Sequence, residues 1–131
     1  MRNSALYVYG IIKFGFGFDW KERGIDGKNV YAINKGNFSA LVHDCEEKPY
    51  NSEDPNKIKE LIVSHNAILD KAMEVFSGVI PMHFNTIIRK AEASPQLNLK
   101  KWLENEKGRL ERLWGKVKGM REYGIRIYYD K

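Results

Sequence analysis

Residues 61–88 constrain the fold of this chain most, because they join a long one-sided helix to a strand with almost no turn between them. Apolar residues recur there every three or four positions, which is the pattern of an amphipathic helix packed on a core. One histidine, His65, lies in the apolar face. We expect the helix to end at Gly78. Pro81 then lies early in a strand, where its missing N–H favours a sheet edge.

Two further features mark where helices begin. The first helix is predicted to start at Asp54 and Pro55, and the second at Ser94 and Pro95. Aspartate and serine cap helix N-termini, and proline suits the first helical position. The second helix is predicted as one helix with an apolar stripe, bent at Gly108, because glycine is a poor helix former.

The strands are predicted from alternating apolar residues. Residues 4–13 are apolar on both alternating sets, which is typical of a central strand. The two sets are Ala5, Tyr7, Tyr9 and Ile11, and Leu6, Val8 and Ile12. Residues 29–34 and 38–44 predict a hairpin, and 79–88 and 121–130 predict two more strands.

This order of elements, β-β-β-α-β-α-β, predicts an α+β fold. The architecture is modified ferredoxin-like, a mostly antiparallel sheet with two helices packed on one face. At 131 residues and 43% hydrophobic content the chain suits a single domain over 1–131. Its single cysteine, Cys45, fits a reducing cytoplasmic setting. We expect no signal peptide and no membrane helix.

The charge is concentrated in the second part of the chain. Residues 1–85 carry a net charge of −1, and residues 86–131 carry +6. A solvated helix face is the favoured interpretation. The alternative is a ferredoxin-like nucleic-acid-binding module that uses the basic C-terminal half. The last strand matches the aromatic motif of RNA-binding domains poorly, and nucleic acid is therefore an unlikely partner.

Catalytic and metal-binding patterns are weak. His43, His65 and His83 are widely spaced, and one thiol does not complete a zinc site. His65 fits a core histidine, hydrogen-bonded within the core, better than a buried acid or base. No nucleophile elbow or phosphate-binding loop accompanies the serines and glycines. The sequence therefore predicts no enzyme, no metal and no cofactor.

The loop at about 14–28 is rich in aromatic and glycine residues. Its aromatic residues alternate with glycine and aspartate at Phe14, Phe16, Phe18 and Trp20. Exposed, they form an apolar patch of the kind used at protein interfaces. Buried, they cap one end of the sheet. The sequence leaves both possibilities open.

Seven segments follow the order and spacing of a known family. They are 7–11 (YVYGI), 24–27 (GIDG), 30–33 (VYAI), 38–42 (FSALV), 65–69 (HNAIL), 80–84 (IPMHF) and 119–125 (GMREYGI). On these segments the chain resembles the gas vesicle protein F/L family (GvpF/GvpL). His83 stands where that family usually has arginine, and Asn85 where it usually has glycine. Members usually continue into a second domain, so this chain is expected to be the N-terminal domain or a short homologue.

The resemblance implies a function in gas vesicle formation. It implies a non-enzymatic accessory protein, a minor structural component or assembly factor without a cofactor. The implied partners are the main shell protein GvpA and other accessory proteins, and the implied location is the cytoplasm and the gas vesicle. The candidate partner-binding residues are four aromatics with two arginines as a polar rim: Phe14, Phe16, Phe18, Trp20, Arg121 and Arg126.

Overall fold

The computed structural model describes residues 5–13 and 23–117. Five strands form a sheet: β1 (Ala5–Lys13), β2 (Tyr31–Lys35), β3 (Phe38–Cys45), β4 (Ile80–Pro81) and β5 (Ile87–Arg89). The helices are α1 (Pro55–Phe76), α2 (Pro95–Asn105), α3 (Lys107–Val117) and a 3-10 turn, Ile25–Gly27. No helix in the described residues has the length and apolar character needed to cross a membrane.

The sheet is antiparallel, and β1 is its central strand. The strand order is β2-β3-β1-β4, with β5 also paired to β1. Strands β4 and β5 both pair with the edge of β1 that lies away from β3. Residues 82–86, which we call the edge segment, separate these two strands. The predicted strand at 79–88 is therefore two short strands. Asn85 interrupts it with a φ of 70°, a left-handed conformation that lies outside the β region.

A bulge at Tyr9 changes the alternation of β1. Val8 pairs with Val42 and Gly10 pairs with Leu41, so Tyr9 has no opposite residue on β3. Ile12 therefore packs with Tyr7 and Tyr9, while Ile11 packs on the other face. Strict alternation predicts the reverse, with Ile11 on the face of Tyr7 and Tyr9 and Ile12 on the other face. The prediction is wrong because a period of two does not allow for a bulge.

The helices cover opposite faces of the sheet. The α+β class with an antiparallel sheet is confirmed, but the prediction of both helices on one face is wrong. Leu61, Ile68 and Leu69 of α1 pack on the face that carries Tyr7 and Tyr9. On the other face, α2 and α3 pack on a second cluster, whose helical members are Leu99, Leu103, Leu110, Trp114 and Val117. A central strand that is apolar on both sides requires cover on both sides.

The helix starts agree with the capping chemistry. Asp54 accepts a hydrogen bond from the Asn56 N–H, and Ser94 accepts one from the Leu97 N–H. Helix α1 ends at Phe76 and is capped by Ser77, whose φ is 62° and which lies one residue before the predicted glycine.

The second predicted helix is divided into α2 and α3 at Glu106 and not bent at Gly108. Glu106 is where its apolar stripe is interrupted, between Leu103 and Leu110. A polar residue in place of an apolar one removes the packing that would hold a continuous helix there.

Candidate functional site

Two histidines and three tyrosines form a hydrogen-bonded cluster between the sheet and α1. Tyr7 and Tyr9 come from β1, His43 from β3, His65 from α1 and Tyr50 from the chain between β3 and α1. We call residues 46–54 the connector. Both histidines and the two β1 tyrosines are buried. Buried polar groups of this kind must find partners, and these find one another.

One chain of hydrogen bonds in the cluster, which we call the first relay, passes through His65. Its Nε2 lies 2.9 Å from the carbonyl oxygen of Met82, and its Nδ1 lies 2.7 Å from Tyr7 Oη. Tyr7 Oη also accepts a hydrogen bond from the Asn85 N–H at 3.2 Å. The relay therefore ties α1 and β1 to the edge segment. His65 is hydrogen-bonded within the core, as the sequence predicted.

The second relay runs through His43. Its Nδ1 lies 2.7 Å from Tyr9 Oη, which also accepts a hydrogen bond from the Ile25 N–H at 2.9 Å. Its Nε2 lies 2.9 Å from Tyr50 Oη. The relay therefore joins the 3-10 turn, β1, β3 and the connector.

Asn85 joins the two relays. Its side-chain oxygen accepts a hydrogen bond from the Tyr50 N–H at 2.8 Å, and its side-chain nitrogen donates to the Tyr50 carbonyl at 2.9 Å. Its own N–H belongs to the first relay. Asparagine tolerates the left-handed region better than other non-glycine residues. Asn85 thus combines a left-handed backbone with two side-chain hydrogen bonds to Tyr50.

One partner assigns a ring proton. The Met82 carbonyl can only accept, so Nε2 of His65 carries a proton. Tyrosine hydroxyls can both donate and accept, so the directions of the hydrogen bonds between Tyr7 and His65, and between His43 and its two tyrosines, follow the tautomer of each ring.

Aromatic packing surrounds these hydrogen bonds. The Tyr7 and His43 rings are stacked, with an interplanar angle of 3° and centroids 5.0 Å apart. Tyr7 also meets Tyr50 and Phe84 edge-on. The Tyr9 hydroxyl occupies the space beside Gly24 where a Cβ would lie. Glycine at position 24 is thus needed for the second relay.

Burial keeps His43, the neighbouring Cys45 and the three tyrosines uncharged at neutral pH. It lowers the pKa of His43 to about 4 and raises the pKa of the Cys45 thiol to about 11. Burial also raises the pKa of the Tyr7, Tyr9 and Tyr50 hydroxyls well above their ordinary value. Groups with such pKa values hold hydrogen bonds at neutral pH and offer neither a general base nor a thiolate.

Metal ligands do not gather in the described part of the chain. No group of three or more His, Cys, Asp and Glu residues there could hold a metal ion. His43 and Cys45 share a face of β3, as expected, but both ring nitrogens of His43 are engaged by tyrosines. His83 is exposed.

The predicted partner-binding residues lie outside the described part of the chain. These are Phe14, Phe16, Phe18, Trp20, Arg121 and Arg126. Sequence reasoning also missed Tyr7, Tyr9, Tyr50 and Asn85 as members of the cluster. The signal was present only in part, as two tyrosines alternating on an otherwise aliphatic strand.

Helices α2 and α3 carry an excess of cations on their outer surface. Glu111 lies 2.7 Å from Lys13, Glu104 lies 3.7 Å from Lys35, and Glu106 lies 2.8 Å from Arg109. Five further cations of these two helices are exposed, at Lys100, Lys101, Lys107, Arg112 and Lys116. This surface therefore carries a net positive charge.

The comparisons with known proteins agree on one family. The model of the family described as gas vesicle synthesis protein GvpL/GvpF matches residues 5–131. The gas vesicle protein L of Haloferax mediterranei is 31% identical over 112 residues, which are 86% of this chain and 33% of that protein. The gas vesicle protein F of Nostoc sp. is 26% identical over 129 residues, 98% of this chain and 49% of that protein.

Solved structures share the fold. Crystal structures of the gas vesicle protein GvpF from Anabaena sp. and from Microcystis aeruginosa superpose with TM-scores of 0.68 and 0.67 at 24% and 23% identity. Each similarity covers 86% of this chain and 43% of the other. The chain thus spans between a third and a half of the length of these relatives.

Proposed function

Because this chain belongs to the gas vesicle synthesis protein GvpL/GvpF family, we propose that it acts as a non-enzymatic accessory component in gas vesicle formation. The family match over residues 5–131 carries this proposal. The chemistry of the buried cluster supports it. The cluster's histidines and tyrosines are buried or half-buried and hydrogen-bonded to one another, as in a structural core and not as in a catalytic site.

The partner we propose is the main shell protein GvpA. A shell subunit exposes apolar surface before it is incorporated, and an accessory protein can mask that surface until assembly. Our candidate capture surface is the aromatic loop at Phe14, Phe16, Phe18 and Trp20, with Arg121 and Arg126 as its polar rim. Aromatic side chains supply large contact areas, and arginine is common at interface rims and hot spots. Other gas vesicle accessory proteins are further proposed partners.

Co-expression with a GvpA-type shell subunit tests this proposal. We expect the shell subunit to stay in the supernatant and to co-purify with the tagged chain. Changing all four loop aromatics to serine should abolish co-purification. Sedimentation of the shell subunit despite the wild-type chain would contradict capture by this chain.

A matched control separates the loop from general surface apolarity. Ile62, Val63, Val75 and Leu97 are the large apolar residues exposed on the described helices. Changing these four residues to serine removes the same number of large apolar side chains, but from the helices and not from the aromatic loop. This variant should retain the shell subunit, and circular dichroism of both variants should show an intact fold. Equal loss of capture in both variants would remove the loop from the proposal.

Nucleic-acid binding is the second candidate function, and the cationic outer surface of α2 and α3 favours it. Binding through phosphate contacts weakens steeply as salt is added. Fluorescence anisotropy with a labelled single-stranded RNA and a labelled duplex DNA, at low and at physiological salt, tests it. A lack of binding to both at low salt would exclude this function.

A further inference from the structure

The outer edge of β2 carries backbone hydrogen-bonding groups that point away from the rest of the sheet. In the strand order β2-β3-β1-β4, β2 is the first strand, and among the described strands it pairs with β3 alone. A two-residue turn at 36–37 joins the two strands and places Lys35 opposite Phe38. The pair that closes such a turn exchanges hydrogen bonds, and the bonds recur at every second residue. The N–H and C=O groups of Ala32 and Asn34 therefore face outward.

These outward groups are open to an additional strand. Within the described part of the chain, no hydrogen bond reaches the backbone of Ala32 or Asn34 from the outer side. The Ala32 side chain is small, and the Asn34 side chain is turned back toward Ser39 and Gly36. The edge therefore presents two donors and two acceptors along an extended backbone, which is the template that strand addition uses.

Helix α2 lies along β2 and places a lysine beside this edge. The Gln96 side chain lies near the Tyr31 hydroxyl, and the Glu104 carboxylate lies 3.7 Å from Lys35. Lys100 lies midway between Gln96 and Glu104 on the same side of the helix, because residues four apart share a face. Four helical residues span about 6 Å, and two strand residues span about 7 Å. Lys100 therefore lies level with the middle of β2.

Lys100 gives the edge a positive charge. It is exposed, and it forms no salt bridge with any residue that the structure describes. Its neighbour Glu104 is paired with Lys35 instead. We propose that the β2 edge binds an extended acidic segment of a partner protein, which adds a strand to the sheet and places a carboxylate beside Lys100. In strand addition the backbone hydrogen bonds supply affinity, and alternate side chains supply specificity.

Other occupants fit this edge less well than an acidic peptide. Antiparallel pairing of two β2 strands about Ile33 would bring together the Lys100 side chains of two copies, and like charges oppose such pairing. Phosphate groups of a nucleic acid would satisfy Lys100, but they cannot supply donors to the outward C=O groups of Ala32 and Asn34. The proposal goes beyond the capture of GvpA and does not depend on it.

Amide exchange of the intact chain tests the edge directly. In the free protein we expect the Ile33 and Lys35 amides to be protected and the Ala32 and Asn34 amides to exchange rapidly. The capped peptide Thr-Val-Thr-Glu-Thr-Val-Thr at millimolar concentration should slow exchange at Ala32 and Asn34. Protection of these two amides before peptide is added would overturn the proposal, because the edge would already be occupied. Unchanged exchange in the presence of the peptide would overturn it as well.

Methylated peptides separate strand addition from attraction between charges. An added strand directs alternate N–H groups toward β2. One peptide is methylated at the glutamate nitrogen, and a second at the nitrogens of the two adjacent threonines. Only one of these two peptides should lose its affinity, which an NMR titration measures. Equal affinity of both would overturn strand addition and indicate binding by charge alone, as expected of a nucleic acid.

Charge variants test the contribution of Lys100. Lys100→Gln should weaken binding of the glutamate peptide roughly two- to fivefold, as for one exposed ion pair. Lys116→Gln makes the same change on the exposed surface of α3 and should leave the affinity unchanged. Lys100→Glu should prefer the same peptide with lysine in place of glutamate. Equal effects at the two positions, or an unaltered preference in Lys100→Glu, would overturn the assignment of the acidic side chain to Lys100.

Discussion

Asn85 gives the most quantitative prediction, because one residue combines a left-handed backbone with two side-chain hydrogen bonds. Its φ is 70°, and its amide group pairs with both the N–H and the carbonyl of Tyr50 at 2.8 and 2.9 Å. Replacement by glycine keeps the backbone conformation and removes both hydrogen bonds. At roughly 1 kcal/mol net for each hydrogen bond, Asn85→Gly should lower the free energy of unfolding by about 2 kcal/mol.

Two further replacements at position 85 separate the contributions. Asn85→Ala loses the same hydrogen bonds and must also hold a left-handed backbone, which costs a non-glycine residue about 1–2 kcal/mol. Part of that cost is offset because glycine loses more backbone entropy on folding. Alanine should thus be about 1 kcal/mol less stable than glycine. Asn85→Asp keeps the acceptor for the Tyr50 N–H but places a carboxylate oxygen against the Tyr50 carbonyl, and it should therefore be less stable than glycine.

Urea denaturation followed by circular dichroism measures all three variants against the wild type. The slope with denaturant should stay the same, so that shifts in midpoint report stability alone. Equal stability of the alanine and glycine variants would refute the argument from backbone conformation. Wild-type stability in the glycine variant would refute the argument from the two hydrogen bonds.

Three other perturbations have defined outcomes in the same assay. Gly10→Ala should destabilise by about 1–3 kcal/mol, because a Cβ there would lie 2.9 Å from side-chain carbons of Leu69 and Val79; an unchanged midpoint would contradict that contact. Ser94→Ala should cost about 1 kcal/mol through the lost helix cap, and Ser94→Asp should restore it. The lowered pKa of His43 means that the unfolded chain binds the extra proton first, so stability should fall as the pH drops from about 6.5 to about 4. The loss has an upper bound of about 3 kcal/mol, and it should be absent in His43→Asn; an equal loss in that variant would assign it to other groups.

Local chemistry explains which parts of the fold were predictable. The starts of α1 and α2 follow from Asp54 and Ser94, since a capping side chain and the helix it caps are neighbours in sequence. The apolar stripe of α1 predicted that His65 lies in the core, because the spacing of apolar residues along one helix is also a local property. The hairpin of β2 and β3 was predicted within two residues at each end, because its turn is short.

The partners of the buried histidines could not be predicted in this way. His65 bonds to Tyr7 across 58 residues and His43 to Tyr9 across 34, and no local pattern encodes either pairing. The bulge at Tyr9 also depends on how β1 pairs with β3. Asn85 stood out as a departure from the family pattern, but its two bonds to Tyr50 require the folded chain.

The relays restrict how this core can change over evolutionary time. Losing one member of a buried hydrogen-bonded pair leaves the other without a partner, which costs more than replacing both by apolar residues of similar shape. Substitutions should therefore arrive in pairs: a lineage that loses His43 should also lose the Tyr9 hydroxyl, and one that loses His65 should lose that of Tyr7. Such paired replacements would let chains of this fold diverge in the core while α1 and the sheet keep their positions.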